Sequence, residues 1–182
     1  CRALVPAVHA HFGRLQAAVN DAARGEDHDR QSVGAAQRDR LRRGPGAPAV
    51  LLAQALHARL AEGQTGCVIN LLDQKLWNPN PDYLSYTLSK AALEAANTLL
   101  AQALAPRVRV CGVAPGVTLP SGPMDSAGFE QAHRRTPLQR SSSAEDIARA
   151  VRFLLESPAI TGTTLLVDGG QHLSHQARDV MF

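Results

Sequence analysis

The segment that decides the fold reads GCVINLLDQKLWNPNPDYLSYTLSKAALEAANTLLAQALAPRVRVCGVAPG and spans residues 66–116. It begins with a continuous apolar run at 66–72, which is typical of a strand covered on both faces. After an irregular loop, the Ala/Leu-rich stretch 83–105 predicts a long helix, which a proline ends. A second apolar run, 108–114, predicts another buried strand. Strand, helix and strand at this spacing indicate parallel strands joined by a crossover helix.

The same alternation continues on both sides of this segment. Upstream, the pattern predicts a helix, a short strand and another helix; downstream, it predicts a helix opened by a capping box and a last strand. The fold class is therefore α/β, with a doubly wound parallel sheet of the Rossmann type. Ligands of such sheets bind at the carboxyl ends of the strands. The predicted flanking elements are helix 3–12, strand 15–20, helix 48–60, the helix from Ser143 to Leu155, and strand 163–167.

Composition limits the classes of protein and partner. The 182 residues are 45% hydrophobic and 19% charged, which predicts one globular domain over residues 1–182. No apolar run is long enough for a membrane helix, and no signal segment opens the chain, so a cytoplasmic protein without membrane contact is expected. The three cysteines are far apart and predict free thiols and no metal site. The arginine cluster at 38–43 lacks interleaved aromatics, so nucleic-acid binding is not expected.

The residues Tyr86 and Lys90 are candidates for catalysis. They are four residues apart on the predicted helix, and so they share one face. An ammonium group near a phenol favours the phenolate and lowers the pKa of the phenol. Such a tyrosine can transfer a proton near neutral pH. The alternative is an ordinary helix that happens to carry both residues.

Further short motifs surround this pair in a recognisable order. Asn70 ends the first strand of the deciding segment, Asp73 follows it, and the next strand runs into Pro115-Gly116. In order and spacing, the chain resembles the short-chain dehydrogenase/reductase family from that family's fourth strand to its end, without the first three strands. The other matching motifs are Val19-Asn20-Asp21-Ala22-Ala23, Thr161-Gly162 and Asp168-Gly169-Gly170.

The resemblance implies a role for each matching residue. Tyr86 would donate a proton during reduction of a carbonyl or imine, and Lys90 would hold the nicotinamide ribose hydroxyls. Two groups of residues would border the cofactor. They are Asn20, Ala22, Ala23 and Leu71, and, beside the nicotinamide, Pro115, Gly116, Val117 and Thr118.

Asp73 narrows the resemblance to one branch of the family. Most members have Ser here, whereas Asp resembles the pteridine reductase branch, which includes bacterial dihydromonapterin reductases. A carboxylate accepts the amide-like N–H groups of a pterin better than a hydroxyl does. The branch implies NADP(H) rather than NAD(H), and a pocket lined by Asp73, Trp77 and Tyr83. The alternatives are a turn carboxylate at Asp73 and a hydrophobic plug at Trp77.

The chain also departs from the family pattern. It has no G-x-x-x-G-x-G phosphate loop, and residues 38–48 replace an apolar helix that usually supplies a relay Asn. Without the family's first strand, the strand at 15–20 would be an exposed edge. We therefore expect the chain alone to be marginally stable, or to pair that edge with another chain.

Three functions remain open at this point. The first is a reductase of dihydropterins or similar C=N or C=O substrates. The second is a general alcohol or ketone dehydrogenase in which Asp73 has no special role. The third is a non-catalytic interaction module, since helices 48–60 and 83–105 are the family's usual subunit-pairing surfaces. The resemblance implies a homodimer or homotetramer through these helices.

Overall fold

A computed structural model describes residues 3–21, 46–120 and 124–180. Its four strands form one sheet, and every neighbouring pair is parallel. The order across the sheet follows the chain, which confirms the predicted Rossmann-type α/β class. The strands are β1 (Ala17–Asn20), β2 (Gly66–Leu71), β3 (Val108–Pro115) and β4 (Thr164–Val167).

Five α-helices and two short 3₁₀ helices accompany the sheet in the described ranges. The predicted helices and strands lie where expected, with ends that differ by a few residues. One helix, α4, was not predicted. The helices are α1 (Leu4–Phe12), α2 (Gly46–His57), α3 (Leu84–Ala103), α4 (Ser126–Arg134) and α5 (Ala144–Glu156), with 3₁₀ helices at Gln74–Leu76 and Gln171–Leu173.

Helices cover the sheet on both faces. Val68 and Val110 pack with Leu56 and Leu100 on the side of α2 and α3. The alternate residues of the same strands form the second core, with Ile147 and Leu154 of α5. Side chains of a strand point alternately to its two faces, so a strand covered on both must be apolar throughout. The second core includes Cys67, Ile69, Cys111 and Val113, and both cysteines are buried free thiols, as expected.

Local signals set the ends of the helices. Ser143 and Asp146 form the predicted capping box at the start of α5. Gly13 ends α1 in the left-handed conformation, with φ of 72°. Asp125 begins α4 by accepting a hydrogen bond from the backbone of Gly128, a capping signal that could have predicted this helix.

The sheet edges and the close strand contacts follow from the same packing. In the described part of the chain β1 pairs with β2 alone, so the expectation that it forms an edge holds there. Between β3 and β4, a Cβ added to Gly112 would lie 2.4 Å from the Thr164 hydroxyl, so only glycine fits.

No helix among the described residues is both long and apolar enough to cross a membrane.

Candidate active site

Polar residues gather where the parallel strands end. Asn20 is the last residue of β1, Asp73 lies two residues beyond β2, and Thr118 lies three residues beyond β3. Asp73 is placed by its own side chain, because its Oδ1 accepts a hydrogen bond of 2.8 Å from the Lys75 backbone. This bond caps the 3₁₀ helix at Gln74–Leu76 and holds the carboxylate in one orientation.

The structure brings the predicted catalytic residues Asp73 and Tyr86 into direct contact. The Tyr86 hydroxyl donates a hydrogen bond of 2.6 Å to Asp73 Oδ2. Tyr86 lies in the first turn of α3, whose N-cap, Tyr83, has the left-handed φ of 53°. The carboxylate is thus bonded at both oxygens, to the 3₁₀ helix and to the phenol.

Burial dominates the protonation of this pair. It raises the pKa of Asp73, against the opposing effects of the Tyr86 hydrogen bond and the nearby lysines. It also raises the pKa of Tyr86, and the charge and hydrogen bond of Asp73 raise it further. The pKa shift of Tyr86 is therefore opposite to the one expected from the Tyr86–Lys90 spacing. The phenol keeps its proton, which suits a proton donor.

Lys90 is held beside the pair rather than against the phenol oxygen. Its ammonium donates a hydrogen bond of 2.7 Å to the Leu71 carbonyl and lies 5.7 Å from the centroid of the Tyr86 ring. Lys90 is 2% exposed, and burial lowers its pKa. An ammonium has three donors, so after the Leu71 bond it can still donate to a ligand such as a pair of sugar hydroxyls.

A chain of buried amides links the strands β1 and β2 to α3. The Asn20 side-chain nitrogen donates to Asn70 Oδ1 at 3.0 Å, and the Asn70 nitrogen donates to Asn97 Oδ1 at 3.1 Å. The bonds fix the end of β1 against α3. Asn97 was missed in the sequence, although its spacing of seven residues from Lys90 places both on one helix face.

The loop after β3 is held from both ends. The Gly116 backbone donates to the Val167 carbonyl at 3.1 Å, and the Val117 backbone donates to Gln171 Oε1 at 3.2 Å. The hydroxyls of Thr118 and Ser142 lie 2.7 Å apart. A Cβ on Gly116 would lie 2.4 Å from the Ser141 hydroxyl, so the tight turn requires glycine. Hydrogen bonds thus hold the predicted cofactor loop near the strand ends.

Other predicted residues have more varied surroundings. Trp77 is 39% exposed, which does not fit a hydrophobic plug. The Tyr83 ring lies 5.3 Å from the Lys75 ammonium. Ala22, Ala23 and the arginine-rich stretch up to residue 45 lie outside the described residues. His172 bonds to buried Asp168 at 2.7 Å, which fits a packing role.

Lys75 was not predicted as a site residue. It is almost fully buried, and its ammonium lies 2.6 Å from a carboxylate oxygen of Asp179, near the end of the chain. The sequence contained a signal for Lys75, because Lys75 and Lys90 are the only lysines in the chain.

The described residues hold no cluster of side chains suited to a metal ion.

Comparisons with known proteins identify the family. The family profile described as enoyl-(acyl carrier protein) reductase matches residues 1–172. The chain therefore belongs to the short-chain dehydrogenase/reductase family, as the sequence motifs indicated.

The relatives include pterin and folate reductases. Pteridine reductase 1 of Leishmania tarentolae is 34% identical over 199 residues, which cover 96% of this chain and 68% of that protein. Dihydromonapterin reductase of Citrobacter koseri is 30% identical over 106 residues, covering 58% of this chain and 44% of that protein. A similar solved structure is FolM alternative dihydrofolate reductase 1 from Brucella suis in complex with NADP. Its TM-score is 0.90 at 39% identity, covering 96% of this chain and 71% of that one.

Proposed function

We propose that this chain carries the catalytic part of an NADPH-dependent reductase of dihydropterins or closely similar substrates. The observation that carries the proposal is the 2.6 Å hydrogen bond from the Tyr86 hydroxyl to Asp73. Asp73 is also the residue on which the sequence's resemblance to the pteridine reductase branch rests. Similarity to pteridine reductase 1 and to FolM supports the same substrate class.

The described residues fit the nicotinamide end of NADPH. Lys90 retains donors for ribose hydroxyls, and the loop from Pro115 to Thr118, held at the strand ends, would border the nicotinamide. NADPH, when bound, supplies the hydride that adds to the carbon of the substrate C=N bond. The sequence of this chain does not contain the phosphate-binding motif G-x-x-x-G-x-G. The proposal therefore concerns only the nicotinamide end of NADPH.

The chain's own residues supply and replace the proton. Tyr86 holds a proton at its hydroxyl, because burial and Asp73 raise the pKa of the phenol. It delivers that proton to the substrate nitrogen as the neighbouring carbon is reduced. After that transfer the Asp73 carboxylate can take up a proton from water, which its raised pKa favours, and pass it to the Tyr86 phenolate across their hydrogen bond. The Asp73 carboxylate can also accept an N–H group of the pterin ring.

One observation favours a second function, a general ketone or alcohol reductase. Asp73 caps the 3₁₀ helix through its bond to Lys75, so the carboxylate has a structural role that needs no pterin. Asp73→Ser separates the two functions. A hydroxyl can still cap the helix, so a general reductase would keep its ketone activity, while a pterin reductase would lose dihydropterin reduction.

The activity test compares this chain with the protein extended upstream along its gene. NADPH oxidation is followed with a dihydropterin, with a panel of simple ketones as the control substrates. We expect dihydropterin reduction in the extended protein, and little in this chain alone, because the phosphate end of NADPH needs further residues. Ketone reduction without dihydropterin reduction would refute the pterin substrate. Inactivity of both proteins in the folded state would favour the interaction module.

The assembly is also part of the proposal. Leu88 and Leu99 of α3 are exposed, and an exposed apolar helix face favours pairing with a second copy. We therefore propose a homodimer or homotetramer through α2 and α3, located in the cytoplasm, where the free thiols Cys67 and Cys111 stay reduced. Sedimentation of the Leu99→Glu variant checks this, since a charge in the contact should shift the protein toward monomer.

A further inference from the structure

The end of the chain folds back onto the catalytic loop. We define the C-terminal segment as residues 171–180 and the catalytic loop as residues 73–83. Asn78 of the loop donates to the Ser174 carbonyl at 2.6 Å, and Asp82 accepts from the Asp179 backbone at 2.8 Å. Two ion pairs join the same elements, one of Lys75 with Asp179 and one of Asp82 with Arg178. The C-terminal segment is thus attached along the length of the loop.

The two ion pairs differ in burial. The side chains of Lys75 and Asp179 are 5% and 18% exposed, whereas in the second pair Asp82 is 3% exposed and Arg178 is 45% exposed. Removing one partner of a buried pair leaves an uncompensated charge, and the local structure then shifts or takes in water. Both pairs therefore constrain the position of the loop. Lys75 is the partner whose backbone also bonds to Asp73.

Lys75 is fixed at two points, and one of them is the catalytic carboxylate. Its ammonium bonds to Asp179, and its backbone N–H bonds to Asp73 Oδ1. The second oxygen of Asp73 accepts the Tyr86 hydroxyl. A displacement of Lys75 therefore moves the Oδ1 bond and turns the carboxylate relative to Tyr86. The path from the end of the chain to the proton donor has three contacts: Asp179 to Lys75, Lys75 to Asp73, and Asp73 to Tyr86.

We infer that Lys75 and Asp179 are positioning residues for the Asp73–Tyr86 proton donor, so that the C-terminal segment completes the active site. The catalytic part of this inference rests on the proposed reductase function. The positioning part rests on contacts alone. Both lysines of the chain would then serve one site, Lys90 at the cofactor side and Lys75 at the loop.

The charges around Tyr86 support the inference. Asp179 contributes, after Asp73, to raising the pKa of the phenol, and Asp21 contributes in the same direction. The ammonium of Lys90, 5.7 Å from the ring centroid, is the facing positive charge on α3. Lys75 bonds directly to Asp179 and so partly neutralises it. Asp179→Asn removes one charge that opposes phenolate formation and should lower the pKa of Tyr86.

The test uses three variants in the upstream-extended protein: Lys75→Gln, Lys75→Arg and Asp179→Asn. We expect Lys75→Gln and Asp179→Asn to lower kcat for dihydropterin by about tenfold to a hundredfold, the order of loss caused by a small misplacement of a catalytic group. The KM for NADPH should change less than about threefold, because Lys90 is untouched. Lys75→Arg keeps the charge and should restore most of kcat. In Asp179→Asn the alkaline limb of the pH–rate profile should move to lower pH.

Two control variants separate positioning from stability. Arg134→Gln removes an exposed pair on α4 with Glu130, and Arg152→Gln removes an exposed pair on α5 with Glu156. We expect both to keep kcat within about twofold of the wild type, since exposed pairs contribute little. If Lys75→Gln fails to fold, the near-isosteric Asp179→Asn variant decides the question. Unchanged kcat in folded Asp179→Asn would overturn the inference, and so would equal losses in the two control variants.

A readout that needs no substrate distinguishes failure of the inference from failure of the proposed function. NMR of isotope-labelled tyrosine in this chain gives two sets of ring signals, since the chain has only Tyr83 and Tyr86, and Tyr83→Phe assigns them. Lys75→Gln should shift the Tyr86 signal, because its bond to Asp73 changes, while Arg152→Gln should leave it in place. A wild-type protein without dihydropterin activity would refute the function, yet the NMR shift would still support the positioning role.

Discussion

Replacement of Asp73 by Asn tests the catalytic pair most directly. The substitution keeps the shape of the side chain and exchanges one carboxylate oxygen for an NH₂ group. In the native site both oxygens accept, one from the Lys75 backbone at 2.8 Å and one from Tyr86 at 2.6 Å. An amide has one acceptor oxygen, so one of these two donors must face an NH₂ group. If the oxygen stays with Lys75, the Tyr86 hydroxyl turns its proton away from residue 73.

The size of the effect follows from the lost bond and the lost charge. A hydrogen bond to a charged group contributes about 1.5–3 kcal/mol, and a positioned proton donor contributes about 10²–10⁴ in rate. We therefore expect kcat/KM for dihydropterin to fall by about 10²-fold or more, or about 2.7 kcal/mol of transition-state stabilisation. The KM for NADPH should stay near that of the wild type. Initial rates of NADPH oxidation measure both quantities.

The stability of Asp73→Asn should depend on pH differently from that of the wild type. The pKa of Asp73 is raised in the folded state, so the folded protein binds this proton more tightly than the unfolded chain does. The contribution of Asp73 to stability is therefore greatest at acidic pH and is lost as pH rises through the folded-state pKa. In Asp73→Asn the lost Tyr86 bond lowers stability, and at neutral pH the removal of the buried charge offsets this loss. The variant should therefore melt near the wild-type temperature at neutral pH, and its stability should fall less on going from acidic to neutral pH.

Two results would refute this reasoning. Activity within about threefold of the wild type would mean that the carboxylate is not part of the proton path, since a proton donor contributes far more. A large loss of thermal stability would mean that Asp73 acts mainly as the cap of the 3₁₀ helix. Asp73→Ser, measured in parallel, shows whether a cap hydroxyl can replace either role.

Three further predictions follow from other contacts. Tyr86→Phe removes the proton donor and should lower kcat by about 10³-fold. The affinity for NADPH should stay within about twofold of the wild type, because Lys90 is intact. Fluorescence quenching measures this affinity. Gly112→Ala places a Cβ 2.4 Å from the Thr164 hydroxyl. It should destabilise the protein by about 1–3 kcal/mol in urea unfolding, and an unchanged midpoint would show that β3 and β4 can separate. Asn97→Leu removes the acceptor for Asn70; we expect about 1–3 kcal/mol of destabilisation from the unpaired buried amide, and a variant as stable as the wild type would show that the amide chain is not needed.

The sequence by itself determined the fold class and predicted Tyr86 and Lys90 as candidate catalytic residues. Strands buried on both faces must be apolar throughout, and helices between them must carry one apolar face, so periodicity and length defined the elements. The spacing of Tyr86 and Lys90 follows from the geometry of one helix, and the motif order around Asp73 indicated the family. These features are local or sequential, and so they could be read without coordinates.

Tertiary structure alone decided the contacts between distant segments. The bond between Lys75 and Asp179 joins residues 104 positions apart, and the amide chain from Asn20 through Asn70 to Asn97 joins three elements. The direction of the Tyr86 pKa shift was also a tertiary result, because burial and the position of Asp73 outweigh the neighbouring lysine. The spacing of residues along a chain indicates which of them share one face of a helix. It does not indicate which charged groups are buried together, because desolvation depends on every segment packed around them.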